Sequence, residues 1–177
     1  MSSPLKSLLL PFMLSSVVLV SACSNNESTN DINSSDPAMQ ELVTEAIKEF
    51  EQTANDQHDI GLLTTYDETF NQMSDAMEDE LIALKKEGKL TDEFAHQRQS
   101  DNIQSALSML KDLNLKTEQG RYIQGLMAEY WQQQAKLFQE QKGPINEEKD
   151  AELAMQGLGV FLHAQEQLEH WREQYAQ

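Results

Sequence analysis

Between Ala38 and Gln177 the apolar side chains recur every three or four residues, and a single proline, Pro144, falls in those 140 positions. A 3.6-residue repeat places such residues on one face of an α-helix, whereas a half-buried strand needs period two. No stretch shows clear alternation. Leu, Met, Ala, Gln, Glu and Lys dominate and valine is scarce, so local propensity agrees with the pattern. The chain is expected to be all-α.

Asp36-Pro37 reads as a helix start, a capping carboxylate followed by proline in the first turn. Met39, Leu42, Val43, Ala46, Ile47, Phe50 and Ala54 then predict a first helix that fades near His58. The apolar phase slips at Ile60-Gly61, which predicts a break or kink there. A second helix carries Leu62, Leu63, Tyr66, Phe70, Met73, Met77, Leu81 and Leu84. Lys85-Lys86 suit its negative end and Gly88 its cap. Thr91 restarts the chain, with Asp92 and Glu93 in the first turn, and Phe94, Ile103, Ala106, Leu107, Leu110 and Leu113 mark the third helix.

Thr117 caps a fourth helix containing Ile123, Leu126, Met127, Tyr130, Trp131, Leu137 and Phe138, which Gly143-Pro144 stops. Asn146 with Glu147-Glu148 opens a fifth, whose seam is Ala151, Ala154, Leu158, Phe161, Leu168 and Tyr175. Residues 157–162, GLGVFL, are apolar or small on every side, which predicts a central position. Helices this long with short loops give an up-and-down bundle of four or five antiparallel helices. Tetratricopeptide helices are about half this length, and no 34-residue repeat is visible.

The N-terminus has a different character. Leu8 to Val20 is an apolar run behind Lys6, too short at about 1.5 Å per residue to span ~30 Å of hydrocarbon. A positive start, a short apolar run and small residues before a cut form a secretory signal. Val20-Ser21-Ala22-Cys23 resembles the lipobox of bacterial lipoproteins. The resemblance covers the signal and Cys23 only. It implies cleavage before Cys23, a diacylglycerol on its thiol, and often an acylated amine. Each buried methylene adds ~0.8 kcal/mol, so two or three acyl chains anchor far better than one. Ser24 in place of Asp favours the outer membrane under enteric-type sorting, facing the periplasm. Residues 1–22 are therefore expected to be the signal peptide, 23–37 a tether and 38–177 the helical domain. Ser24 to Pro37, SNNESTNDINSSDP, is too polar to order itself.

Cys23 is the only cysteine. Acylation would consume it, leaving no disulfide, thiol nucleophile or cysteine-based metal site. Thirty acidic residues against 13 basic give −17, and loss of Lys6 takes this to −18. Such a charge opposes nucleic acid, which needs clustered Lys and Arg, and opposes docking on anionic lipid. It favours a cationic envelope protein as partner by long-range steering, and it also simply keeps a domain soluble.

Candidate chemistry is sparse. Glu93-Phe94-Ala95-His96 matches the Glu-x-x-His of di-metal bundles, but the positions three before His58, His163 and His170 are Asn55, Val160 and Gln167. A partly buried His96 bonded to a carboxylate is the simpler expectation. His163, Glu166 and His170 share one side of the last helix, nearly opposite the Phe161/Leu168 seam, which predicts exposure. Neutral imidazoles there could ligate zinc or copper. Tyr130-Trp131 and Trp171 with Tyr175 read as core and rim, and the methionines as core filler. There is no Gly-x-Ser-x-Gly elbow, phosphate-cradling loop or dinucleotide fingerprint. The expectation is a non-enzymatic module without cofactors that binds or supports another envelope component. A metal protein using Glu93/His96 or His163/His170 and a self-assembling structural lipoprotein are the alternatives.

Overall fold

A computed structural model describes residues 42–140 and 155–175. Among these, four helices follow in order: α1 Asp56–Lys86, α2 Asp92–Lys111, α3 Glu118–Glu140 and α4 Leu158–Tyr175. No strand occurs among the described residues. The architecture is an all-α bundle, as the spacing of apolar residues requires.

The helix ends are built by local chemistry legible in the sequence. α1 stops in a Schellman turn: Lys89 N–H donates to the Leu84 carbonyl at 2.9 Å and Gly88 N–H to that of Lys85 at 3.0 Å. Gly88 sits at φ 67°, which only glycine adopts without strain. Thr91 caps α2 by accepting from Phe94 N–H at 3.2 Å. Thr117 caps α3 by accepting from Gly120 N–H at 2.9 Å.

Cross-helix bonds give the directions. Ser74 meets Asn102 and Glu80 meets Arg98, so α1 and α2 run antiparallel. Gln134 reaches the Gln156 carbonyl and Tyr122 meets His163, so α3 and α4 do too. Asp67–Gln165 and Asp56–Tyr175 close α4 back onto α1. Between them lies one core, with Leu63, Tyr66 and Phe70 from α1 and Ile103, Ala106 and Leu110 from α2. α3 gives Ile123, Met127, Tyr130 and Trp131, and α4 gives Phe161, Ala164, Leu168 and Trp171. Phe70 meets Trp131 edge-on at 4.9 Å and Tyr130 meets Phe161 at 5.0 Å. Such pairs contribute about 0.5–1.5 kcal/mol beyond the area they bury.

Three expectations fail here. Residues 43–53 form no regular secondary structure, so the first helix read over Met39 to Ala54 is not formed across them. The reason is tertiary: the segment is held non-helical against α3 and α4. Nor does the chain break at Ile60-Gly61. α1 runs for 31 residues through both, starting where Asp56 and Asp59 set carboxylates against the positive end of its dipole. Gly61 is exposed and costs such a helix only about 1 kcal/mol. Finally, the last helix is not continuous from Asn146. Met155 is helical, Gly157 turns at φ 76°, and α4 begins at Leu158. A positive φ ends any right-handed helix. The start at Asp36-Pro37, Cys23, Gly143-Pro144, Asn146 and the seam residues Ala151 and Ala154 lie outside the described residues.

Candidate functional site

The polar groups of the bundle gather at one end, where α1 and α3 begin and α4 finishes. Asp59 is fully buried there. Its Oδ2 accepts from Thr117 N–H at 2.7 Å, Thr117 Oγ1 at 2.8 Å and Lys116 N–H at 2.8 Å. Its Oδ1 faces His58 Nδ1 at 2.9 Å. A carboxylate from α1 thus satisfies orphan donors at the start of α3, where the helix dipole also favours negative charge. Thr117 links the two caps, since its hydroxyl donates to Asp59 and accepts from Gly120. Gly120 leaves room for this: a Cβ there would lie 2.7 Å from Asp59 Oδ2. Burial pushes the Asp59 pKa up, but the bonds from His58, Thr117 and Lys116 outweigh it and hold it below the ordinary value.

One turn earlier, Asp56 is 2% exposed. It accepts from Thr53 N–H at 3.1 Å, from the Thr53 hydroxyl, and from Tyr175 Oη at 2.6 Å. Burial again raises its pKa and the bonds from Thr53 and Tyr175 outweigh that. The same bond drives the Tyr175 pKa up to about 12. Both aspartates therefore tie helix ends together. The His58–Asp59 pair has the form of a base and its orienting carboxylate, but the hydroxyl beside it, Thr117, donates to Asp59 and not to His58.

Beside this corner, residues 42–53 cross α4 and the start of α3. Gln167 is fully buried. With its amide turned so that both of its groups are satisfied, the nitrogen donates to the Lys48 carbonyl at 3.2 Å and the oxygen accepts from Lys48 N–H. The N–H and C=O of one residue point the same way only in extended backbone, so this pairing excludes a helix at Lys48. The Lys48 ammonium lies 4.7 Å from the Phe50 ring centre and 4.6 Å from that of Tyr122, and the two rings meet at 5.5 Å. Glu49 comes within 3.5 Å of His170 Nε2.

The histidines are dispersed. His163 is 2% exposed, contrary to the expected solvent face. Its Nε2 lies 3.2 Å from Tyr122 Oη, and its Nδ1 is buried without a hydrogen-bond partner among the described residues. The face opposite the Phe161/Leu168 seam is covered because residues 42–53 and Tyr122 pack there. His170 is half-buried and Glu166 exposed. His96 is exposed rather than partly buried, and its ring lies 4.2 Å from that of Phe138. Among the described residues, no group of three or more His, Cys, Asp and Glu side chains is placed to hold a metal ion. No described helix is long and apolar enough to cross a membrane. Trp131 and Trp171 are core and Tyr175 is rim, as their helical spacing suggested.

Sequence reasoning missed Asp56, Asp59 and Gln167. Asn55-Asp56 with a second acid three residues on is a helix-start pattern that could have found the first two. Gln167 carried no signal, being one glutamine among many. No family model, characterised protein or solved structure matches the chain.

Proposed function

We propose that the chain is a lipid-anchored module of the bacterial envelope, fixed through acyl groups on Cys23, whose helical domain binds a cationic envelope protein. The observation that carries the partner class is the acidic outer surface. Asp75, Asp79 and Glu80 on α1, Glu87 in the turn, and Asp92, Glu93 and Asp101 on α2 are all exposed. Among the described residues, two cations there are paired, Lys89 with Glu87 and Arg98 with Glu80 and, more distantly, Asp101. The buried carboxylates Asp56 and Asp59 are engaged inside the fold, so the exposed ones carry the outward charge. Those on α1 fall within residues 75–80, close to the turn that carries Glu87 and leads into α2, so the charge gathers around that hairpin. A basic protein is drawn to such a surface within a Debye length of about 10 Å at 0.1 M salt.

The anchor and tether supply location and reach, on the strength of the lipobox at Val20-Ser21-Ala22-Cys23. The test is capture from envelope extract by the full acylated chain. Basic proteins held at low salt, released at high salt, and lost when Asp75, Asp79, Asp92 and Glu93 are changed to Lys are the expected result. Capture that ignores salt and these four substitutions would end the charge-driven reading.

A further inference from the structure

Residues 42–53 hold a sequence whose apolar spacing is helical, yet they are not helical. Local preference and observed conformation disagree, and such conflicts mark elements held by something other than their own propensity. What holds this arm is a face built from α4 and α3. Gln167, which meets Lys48, is 0% exposed, and Trp171 and His163 on the same helix are 0% and 2% exposed. No residue of the arm from 42 to 55 is itself buried, and Val43 is 67% exposed. The receiving face is therefore core-like while the occupant lies shallow upon it.

The contacts are of a kind that any suitable peptide could make. Gln167 reads one residue's main-chain N–H and C=O, which carry no side-chain identity. Tyr122 takes a lysine ammonium over its ring and an aromatic side chain two residues further on. Cation–π contacts of this type contribute about 0.5–2 kcal/mol and select Lys or Arg. His163 Nδ1 remains a spare buried polar group on the same face. Once released, Leu42, Val43, Ala46, Ile47 and Phe50 could share one face of a helix, so release recovers local helix propensity.

We propose that this face of α4 and Tyr122 is a docking groove for an extended peptide bearing lysine and, two residues later, an aromatic side chain. The arm is its resident occupant, displaced by a partner segment of the same chemistry. The groove is separate from the acidic surface of α1 and α2, so the two readings fail independently.

The test uses the full chain and a fluorescent synthetic peptide of residues 42–53, read by anisotropy. A tethered occupant competes at roughly millimolar effective concentration, so the wild type should bind the free peptide weakly. Phe50→Ala in the protein loosens the arm and should tighten peptide binding about tenfold or more, by raising the fraction of open groove. A peptide N-methylated at the position of Lys48 loses the N–H that Gln167 accepts and should not bind. Gln167→Leu should abolish binding. Binding to Phe50→Ala that is no tighter than to the wild type, with a native circular dichroism spectrum, would overturn the proposal. So would equal binding of the N-methylated and unmodified peptides to Phe50→Ala.

Discussion

Replacing Asp59 is the sharpest probe of how this bundle is tied together. Its carboxylate serves Lys116 N–H, Thr117 N–H, Thr117 Oγ1 and His58 Nδ1. His58 is 43% exposed and can turn to water, so its loss costs little. The Thr117 groups are buried and cannot. A buried donor left unpaired costs about 1–3 kcal/mol, and bonds to a charged acceptor sit at the upper end. The terms do not add fully, because water can enter the space that Ala leaves. Asp59→Ala should therefore lose about 3–5 kcal/mol, the less than additive sum over the two buried Thr117 donors and the partly buried Lys116 N–H. Asp59→Asn keeps one acceptor but turns an amide N–H₂ toward donors, and should lose about 2–3 kcal/mol. Urea unfolding followed by far-ultraviolet circular dichroism reads this. With a slope of about 2 kcal/mol per molar for a domain of this size, the Ala midpoint should fall by ~1.5–2.5 M.

The pH dependence gives a second reading of the same residue. The folded-state pKa of Asp59 lies below the ordinary 3.8. Its contribution is complete above 3.8 and disappears as pH falls through the depressed value. The gap between wild type and Asp59→Asn should accordingly be flat at neutral pH and narrow in strong acid. A loss under ~0.5 kcal/mol for Asp59→Ala, the size of an ordinary surface change, would refute the capping role.

Gly120→Ala would set a methyl group 2.7 Å from Asp59 Oδ2 and 2.9 Å from Thr117 Oγ1, and should destabilise by ~1–3 kcal/mol in the same assay. Gly61→Ala and Gly125→Ala meet nothing within 4 Å inside exposed helix, and each should raise stability by ~0.5–1 kcal/mol. Loss of stability at Gly61→Ala would favour the kink that the apolar phase suggested. Burial raises the Asp67 pKa despite its bond from Gln165, so its charge opposes folding above the folded pKa. Asp67→Asn keeps that acceptor and should stabilise the fold at pH 7 but not in acid, by thermal unfolding at both. Tyr175→Phe removes the bond to Asp56 and should cost about 1 kcal/mol. Because the Tyr175 pKa is raised to about 12, that stability is present below pH 10 and fades as pH climbs toward 12, so the deficit should shrink there.

The elements legible in the sequence were those whose causes are local. Gly88, Thr91 and Thr117 announce helix ends because their chemistry acts within one turn. The core positions of α1 to α4 follow from the 3.6-residue period. What could not be read depends on contacts across long stretches of chain. Leu42 to Phe50 carry a helical pattern, but Gln167, more than a hundred residues later, holds Lys48 extended. His163 looked solvent-facing because a helical wheel knows one buried seam, and the arm creates a second. The apolar phase slips at Ile60-Gly61, yet the helix runs on through both. The acids at Asp56 and Asp59 were the stronger signal, since they place the helix start before it. The corner where these aspartates meet Thr117 and Tyr175 joins three distant segments, and spacing within any one of them is silent about it.

Acylation of Cys23 is tested directly by mass spectrometry of the N-terminal peptide from membrane-fraction protein. The expected chain begins at Cys23 and carries a diacylglycerol on sulfur, and Cys23→Ser should leave an uncut precursor. A chain cut elsewhere, or one beginning at Cys23 with a free thiol, would contradict it.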